Sequence, residues 1–529
     1  MLFNSYVFIF AFLPVALFGF YWIGKNSHHL ASLWLAAASL FFYGWWDARF
    51  VGLLLASIVF NYSSACLIRH RSSSHMVIQA KILLACAITA NIILLCYFKY
   101  ANFFIDNLNH VFDVTLPIGE ILLPLGISFF TFTQIAFLVD TYQGKVKEYN
   151  FVHYVLFVTY FPHLIAGPVL HHKEMMPQFA ERNSYHIHWD NLAVGFTIFV
   201  LGLAKKVLIA DSLADFSSPI FDAVRIGGQP MLFESWVGAL AYTLQLYFDF
   251  SAYSDMAIGL SLMFNVRLPM NFNSPYKADS IIEFWRRWHM TLSRFLREYL
   301  YIPLGGSRNG KARRYVNLMI TMLLGGLWHG AGWTFVIWGG LHGFYLVVNH
   351  AWRGLKNHFD WKSGGRWSNF GATTLTFLSV VIGWVFFRAD SLSSATAVLY
   401  GMAGLNGISL PVTFGSQLGN CQSCHAIVFF GVLPLTKLSI TKATATLMVG
   451  LAIVWGLPNV REMLQRYRPV HEDLQKDGEI SAPSATLWNP FRLLCEWKPT
   501  RGYAFVTAIL FTLAVFNLTR VREFLYFQF

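Results

Sequence analysis

The chain has 529 residues, of which 56% are hydrophobic, 17% aromatic and only 12% charged. A soluble protein carries about twice that charged fraction, so a soluble globular fold is excluded and a polytopic membrane protein is expected. The formal net charge of +12 does not make a nucleic-acid binder: Lys and Arg are spread over the connections between apolar runs, as positive-inside bias and contact with anionic membrane lipid require.

In chain order, candidate spans fall at 6–24, 30–46, 50–68, 82–98, 119–139, 151–170, 193–210, 235–264, 316–328, 332–349, 372–387, 425–458 and 503–519. A span needs about 20 apolar residues. Some runs are short and some look double, which predicts roughly 11–13 helices. No Lys or Arg precedes the first run and Lys25 follows it. That order places the N-terminus outside and Lys25 in the cytoplasm, and it is not the order of a secretory signal. Arg69, His70 and Arg71, then Lys145 and Lys147, keep the same alternation. Pro124-Leu125-Gly126 interrupts one run and Gly167-Pro168 ends another; broken helices at membrane depth are tolerated where protein or a wet cavity surrounds them. With no internal repeat and no low-complexity tract, one membrane-embedded domain over 1–529 is the simplest organisation, with a polar extramembrane loop at 459–502.

Four stretches carry polar residues in apolar context. "FPHLIAGPVLHHKEM" (161–175) holds His163. "YFDFSAYSDMAIG" (247–259) places Asp249 and Asp255 in what reads as a membrane helix pair. Carboxylates at that depth need partners, and Arg286, Arg287 or His289 are the expected ones. "EFWRRWHMTLSRFLREYL" (283–300), projected as one helix, puts Trp285, Trp288, His289, Leu292, Leu296 and Tyr299 on one side and Glu283, Arg286, Arg287, Arg294, Arg297 and Glu298 on the other. Such a helix lies along the membrane surface or lines its mouth. His289, at the edge of the apolar stripe, is either a core histidine satisfied by one hydrogen bond or a group facing a reaction chamber. In "YIPLGGSRNGKARR" (301–314), Arg308, Lys311, Arg313 and Arg314 crowd a glycine turn. This is either a plain cytoplasmic loop or a basic collar for an anionic donor.

The fourth stretch, "TMLLGGLWHG" (321–330), ends an apolar run in Trp328, His329 and Gly330. An ionisable side chain within a membrane segment marks a functional site by default. A neutral imidazole can take a proton from a hydroxyl, the task of a general base. Gly325, Gly326 and Gly330 would let a substrate or a neighbouring backbone come close. The competing reading is a structural histidine bridging two helices. His342, in "WGGLHG", is assigned a structural or supporting role.

Cys66, Cys86, Cys96 and Cys495 read as packing residues. "CQSCH" at 421–425 matches the pattern of c-type haem attachment, but a disulfide in an exported loop or an incidental match fit as well. No G-x-S-x-G elbow, H-E-x-x-H or Walker A loop is present, so neither a nucleophilic serine nor a metal mechanism is supported.

The assembled stretches resemble the membrane-bound O-acyltransferase family, in particular its bacterial branch, typified by the alginate O-acetylation membrane protein. The matching segments are "FKYANFF" (98–104), "LPLGISFFTF" (123–132), "FPHLIAGPVL" (161–170), "LQLYFDFSAYSDMAIGL" (244–260), "EFWRRWHMTLSRFLREYLYIPLGG" (283–306), "LLGGLWHGAGWTFVIWGGLHG" (323–343) and "GWVFFRAD" (383–390). They lie in order, with the core motifs in 98–390. The resemblance implies an all-α fold with interfacial and re-entrant helices around a central funnel. It implies His329 as the acyltransferase histidine and His289 as its second functional histidine. Asp249, Asp255, Arg286, Arg287, Trp328 and His342 are then expected to line or support the cavity, and Arg308, Lys311, Arg313 and Arg314 to meet the donor. It further implies a bacterial inner-membrane enzyme that takes an acetyl group from a cytoplasmic donor, acetyl-CoA, with no bound cofactor and no metal. A periplasmic SGNH-like transferase with its own Ser-His-Asp site, a polysaccharide synthase or export complex and membrane lipid are the expected partners. The polymer is open between alginate, cellulose, another exopolysaccharide and peptidoglycan, with D-alanyl transfer to teichoic acid a further alternative. A different class of function, a passive conduit, scaffold or transporter, would need neither histidine, and no inverted repeat of the transporter kind is present.

Overall fold

The computed structural model describes residues 1–114, 119, 121–165, 167–361, 365–411, 427–430, 433, 435–471, 496–520, 524 and 525. Cys421, Cys424 and most of the polar 459–502 stretch lie outside them. The described chain is helical apart from one two-stranded parallel ladder, Ile408–Pro411 with Ile427–Phe430. That ladder opens the expected 425–458 span, and the helix there starts only at Ile440. Gly431 and Pro434 intervene, and proline removes a helical donor and clashes with the preceding turn.

Four described helices are long and apolar enough to cross a bilayer: Arg49–Ser73, Val77–Phe112, Trp189–Arg225 and Arg366–Arg388. Shorter apolar helices (Phe8–Gly24, Leu392–Met402, Ile440–Gly456 and Arg501–Phe516) accompany them. Large apolar side chains such as Phe18, Ile78, Leu375 and Phe505 point outward, the surface expected against lipid. Polar contacts inside are made between helices. Asn61 and Asn91 exchange amide hydrogen bonds of 3.1 and 2.7 Å, and Gln134 donates to Ser57, the side-chain glue of membrane bundles.

The helix Leu232–Met263 is buried along almost its whole length. It is one continuous helix, not the pair expected at 247–259. Two large apolar cores flank it. One gathers the first 207 residues and the 253–270 segment; the other gathers 210–250 and 272–454. A small third cluster, with Phe129, Phe295 and Trp328, lies between them, and the two motif histidines sit at this junction.

The helix Gly310–His329 and the following Trp333–His358 cross almost backbone to backbone. A Cβ on Gly326 would lie 2.3 Å from the Phe335 carbonyl oxygen, and one on Gly339 would lie 2.3 Å from that of Met322. The glycines of both motifs therefore admit a neighbouring helix.

The 283–300 stretch is not one surface helix. It breaks into Ile281–Arg287, Met290–Leu296 and a π-helical turn Arg297–Tyr301. Residues 288–296 are buried apart from Ser293, and Arg294, expected on a solvated face, is buried in a two-pronged pair with Glu174. The amphipathic pattern is real, but its polar face is only partly in water: Arg294 and Arg287 meet protein carboxylates, and Arg286 stays exposed.

Candidate active site

His329 is the last residue of its helix, where backbone carbonyls lose their intrahelical partners. Two residues of the helix Val77–Phe112 satisfy them. The Lys99 ammonium donates to the carbonyls of Trp328 and His329, the latter at 3.2 Å, and to Ser128 Oγ at 3.4 Å. Tyr100 donates to the Leu327 carbonyl at 2.8 Å. A cation at a helix C-terminus also opposes the negative end of the helix dipole. Gly330 then turns the chain; a Cβ there would fall 2.1 Å from the Phe335 ring.

His289 occupies the break in the 281–301 stretch. Its φ of 44° and ψ of 53° are left-handed, a conformation costing on the order of 1–3 kcal/mol for a non-glycine residue and found most often at functional sites. The freed backbone groups are taken up by the 271–273 segment: Met290 N donates to the Asn271 carbonyl at 3.0 Å and Asn273 N to that of Arg287 at 2.9 Å. The His289 ring is buried against Phe250 and Phe272, and its Nδ1 lies 3.0 Å from Asn271 Oδ1.

The break brings the two imidazoles together, 6.5 Å between ring centres. Aromatic side chains surround them. Trp328, Trp338 and Phe387 lie 4.8, 5.1 and 5.2 Å from the His329 ring, and Trp328 stacks on Phe132, which stacks on Phe295. A cavity of about 100 Å³ opens beside His329, lined by Lys99, Ser128, Trp328, Trp46 and the 123–127 turn. The His329 ring and this cavity suit a small polar substrate held against a proton acceptor.

The remaining expected residues fall elsewhere. His342 meets the same Trp338 ring, at 4.9 Å, and is packed among Phe284, Trp285 and Trp384; neither of its nitrogens finds a hydrogen-bond partner among the described residues. Asp249 and Asp255 do not meet Arg286, Arg287 or His289. Asp249 pairs with Lys206 at 2.6 Å and accepts from Leu525 N at 2.9 Å; Asp255 pairs with Lys205. Both lysines sit where the Trp189–Arg225 helix passes through a π-helical turn, Lys205–Ala210, which places them side by side facing the central helix. Asp255 and Lys205 do line a cavity, a larger and mostly apolar one of about 350 Å³ whose wall includes Phe272. Arg287 donates to Glu283 at 2.8 Å, and Arg286 approaches the same carboxylate from a half-exposed position. Arg308, Lys311 and Arg313 are exposed at the start of the His329 helix and Arg314 is half-buried against Tyr315. Lys311, Arg313 and Arg314 stand roughly 22–27 Å along that helix from His329 at about 1.5 Å per residue, and Arg308 lies just before the helix begins. No cluster of three or more metal-ligating side chains occurs among the described residues.

Sequence reasoning missed Lys99 and Asn271. Lys99 had a signal, a lone cation in the apolar run "IILLCYFKYANFF", which by the rule applied to His329 deserved the same scrutiny. Asn271 had none, since an asparagine in a connecting segment is ordinary turn chemistry.

Comparison with known proteins gives the family. The profile of MBOAT, the membrane-bound O-acyltransferase family, matches residues 83–387. The chain is 46% identical to the peptidoglycan O-acetyltransferase of Helicobacter pylori over 439 residues, 78% of this chain and 81% of that one. It is 42% identical over 448 residues to the probable alginate O-acetylase AlgI of Pseudomonas aeruginosa, covering 82% of each. It is 36% identical to the corresponding Pseudomonas fluorescens protein over the whole of both chains. The chain therefore belongs to the membrane-bound O-acyltransferase family and is one of its O-acetyltransferases.

Proposed function

We propose that the chain carries out the membrane step in O-acetylation of a bacterial cell-envelope polysaccharide, with His329 as the general base. The observation that carries this reading is His329 lining a small cavity, with the His289 ring 6.5 Å from it, in a chain with O-acetyltransferase relatives. The donor is a thioester, acetyl-CoA. The acceptor oxygen attacks the thioester carbonyl and its proton passes to His329. The C–S bond breaks, and the leaving thiolate takes that proton as the ester forms. His289 assists from the opposite wall. The basic 308–314 segment holds the anionic end of the donor.

Two observations support a route across the inner membrane. With Lys25 inside, the helix His28–Gly44 runs outward, so Trp46 and the cavity it lines fall toward the outer face, while 308–314 falls a bilayer thickness away on the inner face. The cavity is also small. An apolar cavity of about 150 Å³ accommodates benzene, so about 100 Å³ suits a hydroxymethyl or acetyl group better than a whole sugar ring. A serine side chain of a periplasmic SGNH-like partner, itself bound to a polysaccharide synthase or export complex, is the acceptor this favours.

For the polymer, the 46% identical relative acts on peptidoglycan by its name, and peptidoglycan is the reading adopted. The full-length match to an alginate O-acetylase supports an exopolysaccharide as the second reading. The test uses purified protein, labelled acetyl-CoA and the partner transferase. Label should reach the partner's serine with wild type and not with His329→Ala. Transfer by the variant at the wild-type rate overturns the base assignment, and donor release without transfer favours a passive conduit. Acetyl analysis of peptidoglycan and exopolysaccharide from a strain lacking the gene decides the polymer.

A further inference from the structure

The contacts behind His289 form a chain whose direction is determined at one end by a backbone donor. Val169 N–H donates to Thr291 Oγ1 at 2.9 Å. The Thr291 hydroxyl, already an acceptor there, gives its own proton to Asn271 Oδ1 at 2.9 Å. Thr291 N–H, also able only to donate, points at the same oxygen at 3.4 Å. These two donors orient the Asn271 amide, so that its oxygen and not its nitrogen faces His289 Nδ1 at 3.0 Å. Nδ1 must then carry a proton. In the neutral imidazole the other nitrogen, Nε2, keeps the lone pair.

The choice of an amide is itself informative. Asn271 is fully buried, and its NH₂ finds no hydrogen-bond partner among the described residues. Aspartate would serve the three donors and leave no buried NH₂ behind. A carboxylate beside the ring would, however, favour the imidazolium and remove the lone pair. The titratable group facing His289 across the gap is His329, from the Gly310–His329 helix, with Lys99 behind it on the carbonyls of that helix; the central helix and the 271–273 segment present the Phe250 and Phe272 rings.

We infer that Asn271 and Thr291 are positioning residues for the transfer reaction, holding His289 as the neutral Nδ1–H tautomer with Nε2 able to accept a proton. This rests on the acetyltransferase reading above and extends it to the second histidine. The experiment measures kcat and donor KM against pH in the purified system for wild type, Asn271→Asp, Asn271→Leu and Thr291→Val. Asn271→Leu should lower kcat by about 10²-fold at every pH, the scale of a lost acid–base group, with KM little changed. Asn271→Asp, nearly the same shape, should move the acid limb of the kcat profile up by about one unit or more and recover activity at high pH. Thr291→Val should fall between wild type and Asn271→Leu. An unshifted profile for Asn271→Asp, or wild-type kcat for Asn271→Leu, overturns the inference. Equal activity of His289→Ala and wild type overturns it too while leaving the acetyltransferase reading intact, whereas a wild type that never transfers acetyl removes that reading itself.

Discussion

Two gatherings of ionisable groups inside the protein make the contrast, one around Lys205, Lys206, Asp249 and Asp255, the other around His289, His329 and Lys99. In the first set each cation meets a carboxylate at ion-pair distance, Lys205 with Asp255 and Lys206 with Asp249, and Asp211 adds a third carboxylate 2.9 Å from Lys206. The second set holds no carboxylate. Lys99 is held by carbonyl and hydroxyl oxygens, and the imidazoles are walled by aromatic rings. Paired charges in an apolar surround have spent their polarity on each other and act as glue. The two imidazoles, set against aromatic rings, are placed to present theirs to a substrate. Depth and burial alone do not separate the two regions; the partner chemistry does.

The comparison breaks first at His329. His329→Ala should reduce acetyl transfer by about 10³-fold, within the range for general acid–base groups, while the detergent-solubilised protein keeps the wild-type unfolding temperature. A stability loss with retained turnover per folded molecule would make His329 the glue and reverse the contrast.

The complementary prediction concerns the paired region. Lys206→Met strands Asp249 in a buried site and should cost about 3–5 kcal/mol of stability. The double variant Lys206→Met/Asp249→Leu should recover much of it, because the buried carboxylate goes with its cation and only the less buried Asp211 is left without Lys206. Turnover per folded molecule should be unaffected in both. A double variant that stays as unstable as the single, or loses turnover, would mean that this quartet does more than hold helices together.

Lys99 belongs to neither extreme and sharpens the boundary. Lys99→Met removes the donor to the Trp328 and His329 carbonyls. Leaving such groups buried and unmet costs about 1–3 kcal/mol, so both the unfolding temperature and kcat should drop. Lys99→Arg, which keeps a cation, should restore stability more fully than turnover, since a guanidinium cannot take the same place in the small cavity.

How far the sequence reaches follows the same line. The membrane class, the helical fold and both histidines were legible, because a polar residue in an apolar run is visible without knowing what it touches. Its partners were not. Lys205 and Lys206 fall inside the 193–210 span with nothing nearby to mark them, yet they pair with carboxylates about 50 and 43 residues further on. Asp249 and Asp255 were given arginine partners that in fact face Glu283. The 283–300 projection assumed one uninterrupted helix. The left-handed turn at His289 depends on hydrogen bonds from residues 271–273, so helical periodicity alone could not show it. That turn is what rotates His289 off its expected stripe and toward His329.

The smallest effect is expected at the exposed basic segment, where charges are hydrated and each contact is weak. The triple variant Arg308→Ala/Lys311→Ala/Arg313→Ala should raise the KM for acetyl-CoA by about 3–10-fold at low salt and leave kcat alone. Added salt should shrink the difference, because these side chains lie in water and are screened. An unchanged KM would take the donor's phosphates away from this segment. Arg461, which lines the larger cavity together with Phe272, is then the position to vary: a KM that answers to Arg461→Ala would bring the donor in through that cavity, where Phe272 packs against the His289 ring.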